Sequence, residues 1–256
     1  ALSYLPFGFD LSRKQKFYQA IPVWSSTGLV ADGTSILYYG ATLHENPKFD
    51  PRTFSLNLGL SHDNWGIATT ELFNGITDLK KEKKFNTLLK LGIINYSKLK
   101  NIYIGGTLST PKDKKRLTET LKSVGCNAQV NSSYGTCENG SIVTAELNGY
   151  EYPDYSVGIP IPGVSVMIID ENGNELPYNE RGEIVISTPC GMLKYYNRPD
   201  LNENIFIKNE NSSIIYKHTG DIGYIDENGV LIYEGRKNDF FTVNDKNIYN
   251  FDIKCT

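Results

Sequence analysis

This chain has little of several things. Its 256 residues include two Met, two Trp and three His. It begins at Ala1 rather than Met, which points to a trimmed or partial chain, or to ordinary Met removal before a small residue. No apolar run reaches the roughly 18 residues that a membrane-spanning helix needs. Ala1-Leu2-Ser3-Tyr4 is not the basic segment and apolar stretch of a signal peptide. The cysteines Cys126, Cys137, Cys190 and Cys255 never stand at Cys-x-x-Cys spacing, which argues against zinc and thioredoxin-type chemistry. A chain of this length needs no disulfide staples, so reduced thiols and a cytoplasmic location are expected. A net charge of -3 gives no reason to expect nucleic-acid or membrane partners. No Gly-x-x-x-x-Gly-Lys-Ser/Thr phosphate loop occurs either.

What is there suits a protein with a real core. The chain is 39% hydrophobic and 12% aromatic, with 17 Tyr and 23 Gly. That supports one large domain or two small ones. Residues 1–151 read as mixed α/β. Gly28-Leu29-Val30 leads into a helix-like run, and Ser35 to Leu43 reads as a helix end followed by a strand. Leu99 to Ile104 reads as a strand closing on Gly105-Gly106. Thr110-Pro111 starts a helix, with Thr as N-cap and Asp113 in the first turn. Leu117, Leu121 and Val124 continue at helical spacing, and Gly125 stops it. The Lys80–Lys84 run reads as a solvated helix face. From Tyr152 to Thr256 helical periodicity gives way to short β-rich runs. Asp-Glu-Asn-Gly recurs at 170–173 and 226–229 between apolar segments, a hairpin signal. The fold class is therefore α/β, a mixed sandwich portion followed by a β-rich, barrel-like part.

Four stretches carry the chemistry: Tyr134-Gly135-Thr136-Cys137-Glu138, Gly182-Glu183-Ile184, Thr219-Gly220-Asp221 and Gly235-Arg236-Lys237-Asn238-Asp239. Taken singly, Tyr134 would be a core tyrosine, Asp221 a turn cap, Glu138 a surface acid and Arg236 half of an ion pair. In this order they supply an aromatic face, two carboxylates and an arginine, a set suited to a nucleotide with magnesium. The ordered set resembles the adenylate-forming, AMP-binding superfamily of acyl-CoA synthetases and adenylation domains. Ile21-Pro22-Val23-Trp24-Ser25-Ser26-Thr27-Gly28-Leu29 resembles its Leu-Pro-Leu-Phe-His-x-x-Gly-Leu stretch. Tyr39-Gly40-Ala41-Thr42 and Phe49-Asp50-Pro51 resemble the segments that follow. Ser156-Val157-Gly158-Ile159-Pro160-Ile161-Pro162-Gly163 is more similar to the synthetase form than to the peptide-synthetase form.

The resemblance implies site roles. Tyr134 would lie against adenine, with Gly105, Gly106, Gly135 and Cys137 around the nucleotide. Base stacking of this kind is worth roughly 1–3 kcal/mol. Glu138 would hold Mg2+, because a hard cation takes carboxylate and phosphate oxygens together. Asp221 would bond the ribose hydroxyls, and Arg236 the ribose or phosphate. Glu138 and Arg236 would be the catalytic pair and Asn238 the interdomain hinge. Trp24, Ser25 and Asn131 are candidates for the acyl pocket by motif position, and Trp65 by its aromatic character. The implied cofactors are ATP or AMP, Mg2+ and coenzyme A. The implied partner is a small carboxylate, with a carrier protein as the alternative thiol.

The resemblance also implies a Ser/Thr/Gly-rich phosphate loop upstream of Ile21 and a small lysine-bearing domain after the Gly-Arg motif. Neither is found, so the chain reads as the later part of the large domain, and by itself as catalytically silent. Four positions depart from the pattern. Ser25 stands for His and Cys137 for Thr, which bears on acyl and phosphate contacts. Asn238 stands for the hinge Asp or Lys and Asp245 for Gly, which bears on domain rotation and the thioester step. The expected activity is ATP-driven activation of a carboxylic acid, followed by transfer to a thiol. The alternatives are an adenylation domain loading a carrier protein and a silent nucleotide-binding relative. A Cys137 nucleophile is disfavoured, because no motif ties His44, His62 or His218 to it.

Overall fold

The computed structural model describes residues 13–45, 50–106, 109–208, 214–243 and 246–249. The first half alternates strand and helix. β1 (Lys16–Gln19) leads through a π-helical segment, Thr27–Thr34, into α1 (Ser35–Tyr38) and β2 (Thr42–Glu45). Then come α2 (Pro51–Ser61), β3 (Trp65–Ala68), α3 (Thr70–Leu79), α4 (Lys83–Lys90), β4 (Asn101–Ile104), α5 (Pro111–Lys122), β5 (Gln129–Thr136), β6 (Ser141–Ala145) and β7 (Ile159–Pro160). The seven strands form one sheet in the order β2-β1-β3-β4-β5-β6-β7. Pairing is parallel from β2 to β5 and antiparallel from β5 to β7. The sheet thus reaches to Pro160, beyond the change of texture at Tyr152.

Strand alternation explains why both faces are covered. Successive side chains point to opposite faces. Tyr18, Ala68, Ile102 and Ile104 pack with Phe54, Leu72, Phe73, Ile76, Leu117 and Leu121 of α2, α3 and α5. Phe17, Trp65, Ile67 and Tyr103 face the other way, against Ala31, Ile36, Ile142 and Ile161. Helix starts follow capping chemistry. Thr110 Oγ1 accepts from the Asp113 N–H at 3.2 Å, and Asp113 accepts in return from the Thr110 N–H at 3.3 Å. Asp50 Oδ2 caps α2 through the Thr53 N–H at 2.7 Å, with Pro51 in the first turn. Such caps are worth about 1 kcal/mol each. In the 80–84 run, Lys80, Lys81 and Glu82 form the corner between α3 and α4, the exposed Lys83 and Lys84 open α4, and Glu82 pairs with Arg52.

The second half is a curled antiparallel sheet. It contains β8 (Ser165–Ile169), β9 (Gly182–Ser187), the single turn α6 (Pro199–Asn202), β10 (Phe206–Lys208), β11 (Ile215–Ile225) and β12 (Leu231–Arg236). β13 (Phe240–Val243) and β14 (Lys246–Tyr249) form a separate hairpin. β11 has β9 on one side, and β10 and β12 successively on the other. The two Asp-Glu-Asn-Gly segments turn alike. Asp170 accepts from the Asn172 and Asn174 N–H groups, and Asp226 from those of Asn228 and Val230, all at 2.8–2.9 Å. Gly173 and Gly229 take positive φ, 83° and 78°. The second turn closes the β11–β12 hairpin. The first is followed by a longer excursion before β9. A third core joins the two sheets, bringing Tyr134 and Val143 against Ile168, Ile184, Ile186 and Leu231. Among the described residues no helix is long and apolar enough to cross a membrane.

Candidate nucleotide site

The end of β5 meets the middle of β11 at the junction of the two sheets. A cleft of about 90 Å³ lies there, lined by Gly106, Ser133, Tyr134, Gly135, Val157, Asp221, Tyr233 and Arg236. A second of about 80 Å³ adjoins it, lined by Thr27, Ile67, Ala68, Gly105, Gly106, Ser133, Tyr134, Gly135, Ser141 and Ile142. The glycines are required by space. A Cβ on Gly135 would sit 1.7 Å from the Ser141 carbonyl oxygen, and one on Gly105 would sit 2.9 Å from that of Ser133. Opposite Gly135, Ser141 itself takes φ 103°, a strained conformation of the kind found at functional sites.

Asp221 is the electrostatic centre. It is 1% exposed, and both oxygens have partners. Oδ2 accepts from the Tyr134 hydroxyl at 2.6 Å. Oδ1 pairs with Arg236 Nε at 3.1 Å and receives a long contact from the Tyr233 hydroxyl at 3.5 Å. Burial pushes the Asp221 carboxyl above its ordinary value, against the hydrogen bond from Tyr134 and the charge of Arg236. Burial also raises the Tyr134 phenol, and it raises Tyr233 to about 12, so both stay protonated donors. The Tyr134 and Tyr233 rings lie 5.4 Å apart at 33°.

A two-residue bulge in β11 aims Asp221 into the cleft. The register against β9 shifts between His218 and Asp221, and Gly220 takes φ 69°. Glu183, 7% exposed, holds this bulge. It accepts from His218 Nδ1 at 3.1 Å, the Gly220 N–H at 3.2 Å and Lys237 Nζ at 2.9 Å. Burial alone would raise the Glu183 carboxyl, but the Lys237 hydrogen bond and the cations around it bring it below its ordinary value. Thr219 Oγ1 donates to the Ile184 carbonyl at 2.6 Å, and Arg236 Nη1 to the Thr219 carbonyl at 3.1 Å.

One turn past β5, Glu138 accepts from the Tyr195 hydroxyl at 2.7 Å through Oε1. Burial and that carboxylate push the Tyr195 phenol up to about 12. Cys137 is exposed, and its Sγ takes the Ser26 hydroxyl at 3.4 Å. The three histidines contact Asp63, the Ile93 carbonyl and Glu183, and among the described residues none of these contacts involves Cys137. Cys126, Cys137 and Cys190 are free thiols.

The structure brings Gly105, Gly106, Tyr134, Gly135, Asp221 and Arg236 together, with Cys137 and Glu138 beside them. It places other candidates elsewhere. Trp24 is 86% exposed. Ser25 uses its hydroxyl locally, donating to the Pro22 carbonyl and accepting from the Gly28 N–H. Asn131 is buried and donates to Asn148. Trp65 is core rather than pocket, fully buried between Phe17 at 5.3 Å and Tyr103 at 6.4 Å, both nearly parallel. Asn238 is exposed in the turn after β12. Asp245 and Cys255 lie outside the described residues. Sequence reasoning missed Tyr233 and Tyr195 and gave Glu183 no role. Tyr233 sits three residues before Arg236 on β12, the only signal that could have found it.

A family model described as AMP-binding enzyme matches residues 2–196. The chain belongs to this family. It is 35% identical to a long-chain-fatty-acid–CoA ligase of Escherichia coli over 121 residues, 47% of this chain and 20% of that protein. It is 27% identical to a D-alanine–D-alanyl carrier protein ligase of Streptococcus pneumoniae over 239 residues, 90% of this chain and 40% of that one. The chain thus spans well under half the length of these curated relatives. Its fold is similar to ATP-bound MatB from Rhodopseudomonas palustris, with a TM-score of 0.80 at 22% identity over 99% of this chain and 46% of that one.

Proposed function

We propose that this AMP-binding family member forms the nucleotide side of an acid–thiol ligase. A carboxylate attacks ATP to give an acyl-adenylate and pyrophosphate, and a thiol then takes the acyl group. The observation that carries this reading is the convergence of Tyr134, Asp221 and Arg236 on one cleft, with Glu138 a turn away. Asp221 accepts hydrogen bonds, as a ribose diol requires. Arg236, its side chain 60% exposed, keeps N–H groups to offer a phosphate.

A cleft of about 90 Å³ holds roughly three waters at their ~30 Å³ share of liquid volume. A nucleoside therefore enters by exchanging the Tyr134–Asp221 bond for bonds to the ribose. Glu138 fits Mg2+ in that, among the described residues, its second carboxylate oxygen has no partner. Mg2+ is commonly held by one or two carboxylates plus substrate phosphates. When bound, the ion would neutralise phosphate charge during transfer. Asn238 follows Lys237, whose side chain is tied to Glu183, and serves in this reading as the hinge.

Two thiols remain in view. The Ser156–Gly163 segment favours coenzyme A. One relative whose similarity extends over 90% of this chain is a carrier-protein ligase, which favours a carrier thiol. The test is calorimetry with AMP. Wild type binds, and Tyr134→Ala and Asp221→Ala each weaken binding, the former by roughly 1–3 kcal/mol. Unchanged affinity in both variants would remove this site. Acceptor preference is read in a form of the protein that completes adenylation, by offering coenzyme A and carrier protein in competition.

A further inference from the structure

Lys217 lies where a lysine is costly. In β11 it stands directly opposite Ile186 of β9, and directly opposed residues of an antiparallel pair share a face. Ile186 is fully buried in the core that contains Tyr134, so Lys217 points inward and is only 5% exposed. Among the described residues its ammonium has neither a hydrogen bond nor an ion pair. Burial lowers its pKa, with no compensating carboxylate. Desolvation disfavours the charged form of such an ammonium, and a bound anion would restore it.

The surroundings indicate which anion. Nζ lies 2.1 Å from where a Cβ on Gly191 would be, so the lysine tip rests on this glycine and an alanine there would push it aside. The loop at 188–192 also packs on the Glu138 turn. A Cβ on Gly140 would meet the Cys190 carbonyl oxygen at 2.6 Å, and the Met192 N–H donates to the Glu138 carbonyl at 2.7 Å. One loop therefore carries the lysine tip on one side and the metal-ligand candidate on the other.

We propose that Lys217, seated on Gly191, is an oxyanion subsite for the β- and γ-phosphates of ATP or for free pyrophosphate, beside the Glu138 turn. The inference rests on the nucleotide reading above. A poly-oxyanion shared between a divalent cation at Glu138 and an ammonium at Lys217 satisfies both groups, because charge-assisted hydrogen bonds to phosphate are the strong ones. AMP has no β- or γ-phosphate to reach this subsite.

The test is calorimetry of the full chain with magnesium pyrophosphate, ATP and AMP. Lys217→Met should weaken pyrophosphate roughly tenfold or more, the effect of one charge-assisted hydrogen bond, and leave AMP nearly unchanged. The same variant should raise Tm, because a desolvated charge becomes apolar. Gly191→Ala, which pushes Nζ aside without removing it, should weaken pyrophosphate in the same direction, and it serves if Lys217→Met does not fold. A parallel loss for ATP assigns the subsite to the nucleotide's phosphates; a loss for pyrophosphate alone assigns it to the product. Unchanged pyrophosphate affinity, no pyrophosphate binding by wild type, or equal weakening of AMP would each overturn the proposal. If AMP fails to bind while the pyrophosphate loss stands, the nucleotide reading falls and the oxyanion subsite remains.

Discussion

The Tyr134 hydroxyl donates to Asp221 at 2.6 Å across 87 residues of sequence, joining the end of the first sheet to the middle of the second. Both groups are buried, so the bond is at once part of the fold and the closure of the cleft proposed to hold the nucleotide.

Tyr134→Phe keeps the ring against Tyr233 and removes only that bond. Asp221 then keeps Arg236 and the long Tyr233 contact. The expected loss is about 1–3 kcal/mol, the cost of leaving a buried acceptor short of a partner. Urea denaturation measures it. A variant as stable as the parent would show that the hydroxyl is not engaged in solution.

Arg236→Ala tests the charge partner of Asp221. The Arg236 side chain is 60% exposed but the Asp221 carboxylate is 1% exposed, so the variant leaves a buried acceptor short of a partner. A stability loss of about 1–3 kcal/mol is expected, comparable to that of Tyr134→Phe. AMP affinity should fall clearly, because the guanidinium is the cation at the cleft. Intact AMP binding would reverse that assignment.

Two carboxylates give pH dependences of opposite sign. Asp32, in the π-helical segment, is buried with neither oxygen hydrogen-bonded, and burial raises its pKa well above 3.8. The unfolded chain ionises first, so this group subtracts stability progressively as pH rises above 3.8. Asp32→Asn should gain on the parent between acid and neutral pH. Parallel Tm-versus-pH curves would count against the buried carboxyl.

Glu183 behaves the other way. Its folded pKa is lowered, so its stabilisation is present above the ordinary 4.5 and is lost as pH falls through the folded value. Glu183→Gln should be less stable than the parent at neutral pH, and the gap should close in acid. AMP affinity should drop with it, because the Gly220 bulge that aims Asp221 loses its carboxylate.

Gly135→Ala tests the space argument. The added methyl would meet the Ser141 carbonyl oxygen at 1.7 Å, which forces the β5–β6 pair apart. A loss of several kcal/mol or failure to fold is expected, a result reserved for named structural conflicts. Gly229→Ala, at φ 78° but with nothing within 4 Å, should cost less.

The sequence by itself determined the mixed α/β half, the β-rich half and the family. Local rules suffice for these: Thr110-Pro111 with Asp113 caps α5, Asp226 with Gly229 closes a hairpin, and strand alternation divides Phe17 from Tyr18. It also located the motifs that line the cleft, because each makes its own turn. Only the tertiary structure decided what those motifs touch. It sent Trp65 into the core, because its neighbours Phe17 and Tyr103 arrive on β1 and β4. It gave Glu183 three donors that arrive from β11 and from the turn after β12. It left Lys217 facing inward because the register of β11 against β9 shifts only after His218. Register and cross-sheet contact are long-range properties, and no local window of residues contains them.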